Sequence, residues 1–369
     1  MFFKKVCLRS FRNYRRLDLE LGPGLNLFHG DNAQGKTNLL EAVCLLASLR
    51  SFRGVKSGSA IAWGERECLV SGEAEKSADR RGRATGTNRL RLAVEKDARR
   101  VLLDGKRPKS AADYLLAVRV ITFSPEDLFL AREYPSARRR FLDRSVFHLS
   151  PAYLGLANRC RAAIRQLNAA MKTGDAAQVR TWEELAAPLF AEISAKRRER
   201  ADELASRASD VFGGALGSGR PGLAYKCHAK GGGVSELTGS YRALMEKKRP
   251  EGMRRGYCLV GPHTDDLAVT VDGHEMRGSA SRGQGKLALL ALALADAELY
   301  FERKGERPVL LLDDVGAELD GKRRGALTER LTGMGQALIT STDPAVLGGR
   351  KAAHYKVEVG GGGAEITKA

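Results

Sequence analysis

The sequence predicts an α/β protein with an antiparallel β subdomain and an inserted helical arm, and three observations carry that prediction. The apolar run at 25–28 leads into a stretch bounded by glycines, Gly30-Asp31-Asn32-Ala33-Gln34-Gly35-Lys36-Thr37, and then into a helical run at 38–46. A second apolar run, at 309–312, ends in the paired acids Asp313 and Asp314. Between the two, from about Pro135, apolar residues recur at three and four positions, the spacing of an amphipathic helix.

Taken in order, residues 2–8 and 17–21 read as short strands on either side of the turn Ser10-Phe11-Arg12-Asn13-Tyr14-Arg15. Beyond the first helix, 68–74 and 89–95 read as strands, the latter alternating Leu90, Leu92 and Val94. Lys96-Asp97-Ala98 turns the chain and 99–103 returns to Asp104-Gly105, completing an antiparallel meander. A buried strand at 118–123 precedes Ser124-Pro125-Glu126-Asp127-Leu128. Leu156, Cys160, Ile164, Leu167 and Met171 then form one helical stripe, and Thr173-Gly174-Asp175 breaks it. A second stripe passes through Trp182, Leu185, Leu189 and Ile193 to Leu204, Ala208 and Val211. Pro188 is placed to kink it and Gly213-Gly214 to stop it. Two such helices predict a hairpin ~30 to 50 Å long. Strands resume at 257–260 and 267–271, a helix is expected at 287–294, and core strands at 309–312 and 337–342. The run 354–359 reads as an edge strand, and the glycine patches at 213–222, 231–233 and 360–363 as loops or a frayed tail. The expected domains are therefore 1–134, an inserted helical arm at 135–250, and 251–369.

Composition narrows the partners. The chain of 369 residues is long enough for two domains, or for one interrupted by an insertion, and its 43% hydrophobic content supports a real core. A formal net charge of +18 sets up a field that attracts polyanions, nucleic acid first among them. The basic runs are Arg80-Arg81-Arg83, Arg138-Arg139-Arg140, Lys196-Arg197-Arg198-Arg200, Lys247-Lys248-Arg249 and Arg254-Arg255, which together favour phosphate contacts without base reading. Six scattered cysteines form no C-x-x-C pair, which argues against a structural zinc or a disulfide framework and suits a reducing cytoplasm. Met1-Phe2-Phe3-Lys4-Lys5 meets charge too soon for a signal peptide, and the longest apolar run, 287–295, falls short of the ~20 residues of a membrane helix. No membrane partner is expected.

The chemistry rests on three stretches. Gly30 to Thr37 fits G-x-x-x-x-G-K-[ST], in which glycines let backbone N–H groups face the phosphates of a nucleotide, Lys36 meets the β and γ phosphates, and Thr37 offers a hydroxyl to Mg²⁺. A strand buried by four apolar residues brings Asp313 out at its carboxyl end, where it can hold Mg²⁺ while Asp314 orients an attacking water. Ser281-Arg282-Gly283-Gln284-Gly285, opening directly into a helix, is a second candidate anion site, suited to capping the γ-phosphate of a nucleotide held by another subunit.

A phosphate loop near the start, a helical insertion, then S-x-G-Q and an apolar strand ending in two acids resembles the ABC-type ATPases of the SMC class. Within that class the chain resembles the RecF family of bacterial recombination mediators. The resemblance is carried by Phe11-Arg12-Asn13-Tyr14, the phosphate loop with Asn38-Leu39-Leu40-Glu41-Ala42, Ser51-Phe52-Arg53, Phe123-Ser124-Pro125-Glu126-Asp127-Leu128 and Arg138-Arg139-Arg140-Phe141-Leu142-Asp143. It continues through Gly261-Pro262-His263, Asp265-Asp266-Leu267, Ser281-Arg282-Gly283-Gln284, Leu312-Asp313-Asp314 and Glu318-Leu319-Asp320. It implies an ABC-type P-loop ATPase domain, ATP and Mg²⁺ as cofactors, and an ATP-dependent homodimer in which Ser281, Gly283 and Gln284 complete the partner's site and Glu318 and Asp320 face it. It further implies slow hydrolysis, binding to single- and double-stranded DNA or their junctions, and RecA loading with RecO and RecR. The chain departs from the wider pattern in three places: Asp314 stands where glutamate is usual, Ser341 or Thr342 where a switch histidine follows, and Glu126 lies nearest the glutamine of the first switch loop. All three fit a slow switch better than a fast motor. The alternatives are the ATPase subunit of another SMC-like or nuclease-associated complex, and a transporter's nucleotide-binding subunit, which the helical arm disfavours; no N-K-x-D motif supports a GTPase.

Overall fold

Alternation decides the first strand: Val6 and Leu8 are buried between the half-buried Lys5, Cys7 and Arg9, and the pattern breaks at Ser10, whose φ is 50°, before the buried Phe11. The computed structural model describes residues 1–76, 86–125, 127, 134–216, 220–276, 282–316, 319–348 and 351–369. Its contacts separate two units, one made of Met1–Phe129, Ala208–Gly219 and Ser281–Ala369, the other of Leu130–Arg207 and Arg220–Ala280.

The first unit has the α/β fold expected. Its strands are β1 (Phe2–Phe11), β2 (Tyr14–Glu20), β3 (Leu25–His29), β4 (Glu67–Glu75), β5 (Thr87–Glu95), β6 (Arg99–Leu103) and β7 (Val120–Phe123). An antiparallel sheet runs β2-β1-β4-β5-β6. The helix Lys36–Ser48 packs against both this sheet and the mainly parallel one described below. It is buried from Leu39 to Ala47 without interruption, as a helix enclosed between two layers must be, and that is why the sequence there is apolar apart from Glu41.

In the second unit the helices Pro135–Leu149, Tyr153–Thr173, Ala176–Val211 (whose last turn belongs to the first unit) and Val234–Arg255 are joined by strands β8 (Pro221–Lys226), β9 (Asp266–Val271) and β10 (His274–Glu275). These strands pair in the order β10-β9-β8. The unit is therefore more than a helical arm, and it extends to 280 because β8 pairs with β9 along six positions, tying residues after 250 to those before. The stripe of the helix Tyr153–Thr173 is buried at Leu156, Cys160, Leu167 and Met171, as its spacing predicts. The long helix keeps most of its stripe, with Ile193, Leu204, Ala208 and Val211 buried and Trp182 and Leu189 packed against the core, but Leu185 is 53% exposed and Val179, Ala186 and Phe190 complete the buried face. Alanines, which periodicity scores weakly, let neighbouring elements approach closely and win that face.

The first unit closes with β11 (Val309–Leu312), β12 (Ala337–Ser341), β13 (Ala353–Gly360) and β14 (Gly363–Lys368), giving a sheet ordered β14-β13-β3-β12-β11-β7. All neighbours are parallel except β13 and β14. Every residue of β7, β11 and β12 is buried, the pattern of strands covered on both faces. Two expectations are corrected here. The strand near 354–359 is not at the edge, because the glycines at 360–363 turn a hairpin and β14 takes that place. Residues 257–260 are irregular rather than a strand.

Candidate phosphate-binding site

Strand β3 ends at His29 and the chain turns through Gly30–Thr37 into the helix beginning at Lys36. Gly30 has φ 150° and Gly35 φ 113°, a left-handed region that only glycine enters without strain. A Cβ on Gly30 would lie 2.3 Å from the Val357 carbonyl oxygen, so the loop presses against β13. Gly35 is the helix N-cap and offers no side chain to the first-turn N–H groups, leaving them to face an anion. Lys36 is only 9% exposed, and its ammonium donates to the carbonyls of Gly30 at 2.7 Å and Asp31 at 2.6 Å, closing the loop into a ring. Burial pushes its pKa below the ordinary 10.5, opposed by the charges of Asp313, Asp314 and Asp31.

The expected acids lie beside this loop. The Thr37 hydroxyl donates to Asp313 Oδ1 at 2.9 Å, and the Thr340 hydroxyl donates to the same oxygen at 2.5 Å. Thr340 in turn accepts from the Asp314 N–H at 2.9 Å, while the Asp313 N–H donates to the Phe123 carbonyl at 2.9 Å. Three adjacent strands, β7, β11 and β12, thus fix one carboxylate under the first turn of the helix. Asp314 has φ 50°, an unusual conformation for a residue with a side chain. Hard oxygen donors on Thr37 and Asp313 suit Mg²⁺, which keeps several positions for water and phosphate. No cluster of three or more His, Cys, Asp or Glu that could hold a metal by itself occurs among the described residues.

Sequence reasoning missed how the loop is braced. Asn13 Nδ2 donates to the Gln34 carbonyl at 3.2 Å, Asn13 Oδ1 accepts from Asn38 at 2.8 Å, and the Tyr14 hydroxyl donates to the Gly35 carbonyl at 3.1 Å. From the other side the Val359 N–H donates to Gln34 Oε1 at 2.6 Å. One turn along the helix, Glu41 is fully buried and accepts from Arg12 at 2.8 and 3.0 Å, from Ser51 at 2.6 Å and from Arg53 at 3.1 Å. The motif residues Arg12, Asn13, Tyr14, Ser51 and Arg53 therefore all hold the phosphate loop or its helix. The signal was present as motif spacing, but no periodicity reveals its partners.

Other expected residues are placed as follows. Ser281, Glu126 and Glu318 lie outside the described residues. Gly283 and Gln284 sit in the first turn of the helix Arg282–Lys304, Gln284 exposed. Asp320 caps the helix Gly321–Thr332, accepting from the Arg323 N–H at 2.9 Å. Ser341 is buried and accepts from the Asp343 N–H at 3.0 Å, while Thr342 is exposed. Arg324, not anticipated, donates to the carbonyls of Leu319 at 2.9 Å and Gly316 at 3.3 Å and to Asp343 at 2.6 Å. It ties the loop after β11 to the loop after β12.

The basic runs change meaning. Arg138 pairs with Asp266 at 2.7 and 2.8 Å, and Arg139 donates to the Asp265 carbonyl at 2.6 Å. Arg197 pairs with Asp143 at 2.7 and 3.0 Å, Arg200 with Glu203 at 3.0 Å, and Arg249 with Glu183 at 2.6 Å. Arg198 donates to the Gly231 carbonyl, and Lys248 and Arg255 both meet Glu251. Most of these cations make contacts within the second unit, because the guanidinium fork matches carboxylates and carbonyls. Arg80, Arg81 and Arg83 lie outside the described residues. Among the described residues no helix is long and apolar enough to cross a membrane.

With this geometry in place, comparison with known proteins is direct. The model of the RecF/RecN/SMC N terminal domain matches residues 2–359. The DNA replication and repair protein RecF of Geobacter sulfurreducens is 34% identical over 352 residues, covering 94% of each chain. The chain belongs to the RecF family. The RecF of Acidothermus cellulolyticus is 36% identical over 357 residues, covering 92% of this chain and 94% of its own. A solved structure of the recombination mediator RecF with ATP superimposes with a TM-score of 0.88 at 26% identity, covering 100% of this chain and 99% of that one. An Smc head bound to the C-terminal winged-helix domain of ScpA aligns with a TM-score of 0.56 at 14% identity, covering 100% and 98%, and shares the fold alone. The RecF and SMC-head likenesses make this an ABC-type ATPase fold.

Proposed function

We propose that this chain is a cytoplasmic, ATP-gated DNA-binding protein of recombinational repair and replication. The observation that carries the proposal is the contact of Thr37 with Asp313 beneath a phosphate loop closed by Lys36. The loop amides and Lys36 bind the phosphates; Thr37 and Asp313 would hold Mg²⁺, which would supply positive charge to the phosphates. Asp314, fixed by Thr340, orients the attacking water. Its shorter side chain gives slow turnover, so hydrolysis serves as a switch. Ser281, Gly283 and Gln284 complete the site of a second copy, with Glu318 and Asp320 facing it, so ATP drives homodimerisation. The RecF names of its relatives support repair and replication, the ATP-bound RecF structure supports the cofactor, and the net charge of +18 supports DNA. RecO and RecR are the expected partners, since the RecF–ATP structure is described within the RecFOR pathway.

The decisive experiment measures DNA affinity with and without ATP across a salt series. Affinity should rise with ATP and fall steeply with salt. Binding that ignores both overturns the proposal. In parallel, Lys36→Arg should fold normally and lose hydrolysis, and unchanged turnover would refute the assignment of the loop. Ser281→Arg should abolish the ATP-driven shift to dimer in sedimentation.

A further inference from the structure

Trp63 is 102% exposed, as bare as the indole of an isolated peptide. Large aromatic side chains rarely stay in water on a fixed backbone without a partner, since each buries about 150–250 Å² when it finds one. Here the backbone is fixed. Ala62 and Glu65 close a turn through the Glu65 N–H and the Ala62 carbonyl at 3.1 Å, with Gly64 at φ 84° supplying the reversal. The turn is pinned to β1, since the Ala62 N–H donates to the Ser10 carbonyl at 2.8 Å and Ile61 bridges to Phe11.

The surroundings select the partner. The Arg12 N–H donates to the Ala60 carbonyl at 2.8 Å and its guanidinium to the Ser59 carbonyl at 2.8 Å, so Arg12 adjoins the turn. Arg12 and Arg53 share the single carboxylate of Glu41, leaving one surplus positive charge, and their side chains stay 21% and 26% exposed. Lys56 and Arg66 are exposed and have no side-chain partner among the described residues. Between Arg53 and Glu67 three basic residues (Arg53, Lys56 and Arg66) stand with two acids, Glu65 and Glu67, and Glu67 meets Arg100. A rigidly presented, uncovered aromatic face on a turn flanked by exposed cations is the arrangement that stacks an unpaired base while neighbouring charges meet its phosphates. A duplex, whose bases are already stacked, has no face to offer it.

We propose that the turn bearing Trp63 is a contact for single-stranded nucleic acid, with Trp63 stacking on an unpaired base and Arg12, Arg53, Lys56 and Arg66 on the backbone around it. This rests on the DNA-binding reading and adds the strand state and the place. It also links the contact to nucleotide, because Arg12 and Arg53 are held by Glu41, one turn beyond Thr37 on the phosphate-loop helix.

The chain has two tryptophans, so Trp182→Phe leaves Trp63 as sole reporter. In that background oligo(dT) of about 30 nucleotides should quench Trp63 emission, and a blunt duplex of equal length should not. Trp63→Ala should weaken oligo(dT) binding about ten-fold or more, since one base–aromatic stack removed has effects of that order, and shift duplex affinity less than about two-fold. Trp63→Phe should recover part of the loss, and the melting temperature should not move, since the side chain packs on nothing. Unchanged oligo(dT) affinity in Trp63→Ala, with wild-type DNA binding intact, overturns this proposal alone and assigns the indole to a protein partner. A wild-type protein that binds neither DNA form overturns the DNA-binding reading with it.

Discussion

Glu41→Ala would separate the role of the phosphate-loop helix from that of the loop. Glu41 is fully buried and its carboxylate accepts from two guanidiniums and a serine hydroxyl. Removing one partner of a buried pair costs about 3–5 kcal/mol, because the other charge is left without compensation. Arg12 and Arg53 are 21% and 26% exposed, so water recovers part of that, and about 2–3 kcal/mol is expected. For a unit of this size each kcal/mol moves the melting temperature roughly 2–4 °C, so the midpoint should fall by about 5–10 °C. Glu41→Gln, which keeps the volume and one strong acceptor, should lose about half as much. Circular dichroism on heating and urea titration at fixed pH would measure both. A fluorescent ATP analogue should bind the alanine variant more weakly, since Arg12, released from the carboxylate, adjoins Asn13 and Tyr14, which brace Gln34 and Gly35. A midpoint within about 1 °C of wild type would refute the reasoning, for a buried carboxylate with these partners cannot be removed at no cost.

Two further outcomes follow from single side chains. Arg324→Ala releases the loops after β11 and β12 from each other; turnover should fall roughly ten-fold while ATP affinity stays within about two-fold, and Arg324→Lys should rescue little because one ammonium cannot replace three differently directed donors. Equal loss of turnover and affinity would instead mean that Arg324 only supports the fold. His263 is held below its ordinary 6.5 chiefly by burial, and its Nδ1 is buried with no hydrogen-bond partner among the described residues. Folding therefore favours its neutral form, so its contribution is fully present above about 6.5 and is lost as pH falls below that value. The urea midpoint of wild type should drop between pH 7.5 and pH 5.5, and His263→Gln should flatten that drop; identical slopes would exclude His263 as the cause.

How much of this was legible depended on whether the determining contacts were local. Gly30, Gly35, Lys36 and Thr37 declare themselves because the loop's geometry is set by residues within one turn of one another. Asp313 was found because four apolar residues before it can only be a central strand. Asn13 beneath Gln34 and Val359 above it were invisible, since those partners lie 21 and 325 positions apart in sequence. The basic runs hid their partners in a different way. A row of arginines looks the same whether it faces solvent or is itself buried on a carboxylate, and only folding sets Arg197 on Asp143 and Arg138 on Asp266. The long helix was legible at Ile193, Leu204, Ala208 and Val211 and missed at Leu185, which is exposed, while Ala186, Ala187 and Ala191 carry packing that a stripe of large side chains does not reveal.

The position of β3 has a consequence for how the molecule is made. It pairs with β12 on one side and β13 on the other, both roughly 300 residues downstream. A nascent chain holding the phosphate loop must therefore wait for both strands before its sheet can close, some 15 to 60 s at ~5–20 residues per second. During that interval the segments from Leu130 to Ala280 can emerge and assemble their own core. The loop after β3 is made well before the strands that fix it in the sheet, so its final shape waits for β12 and β13.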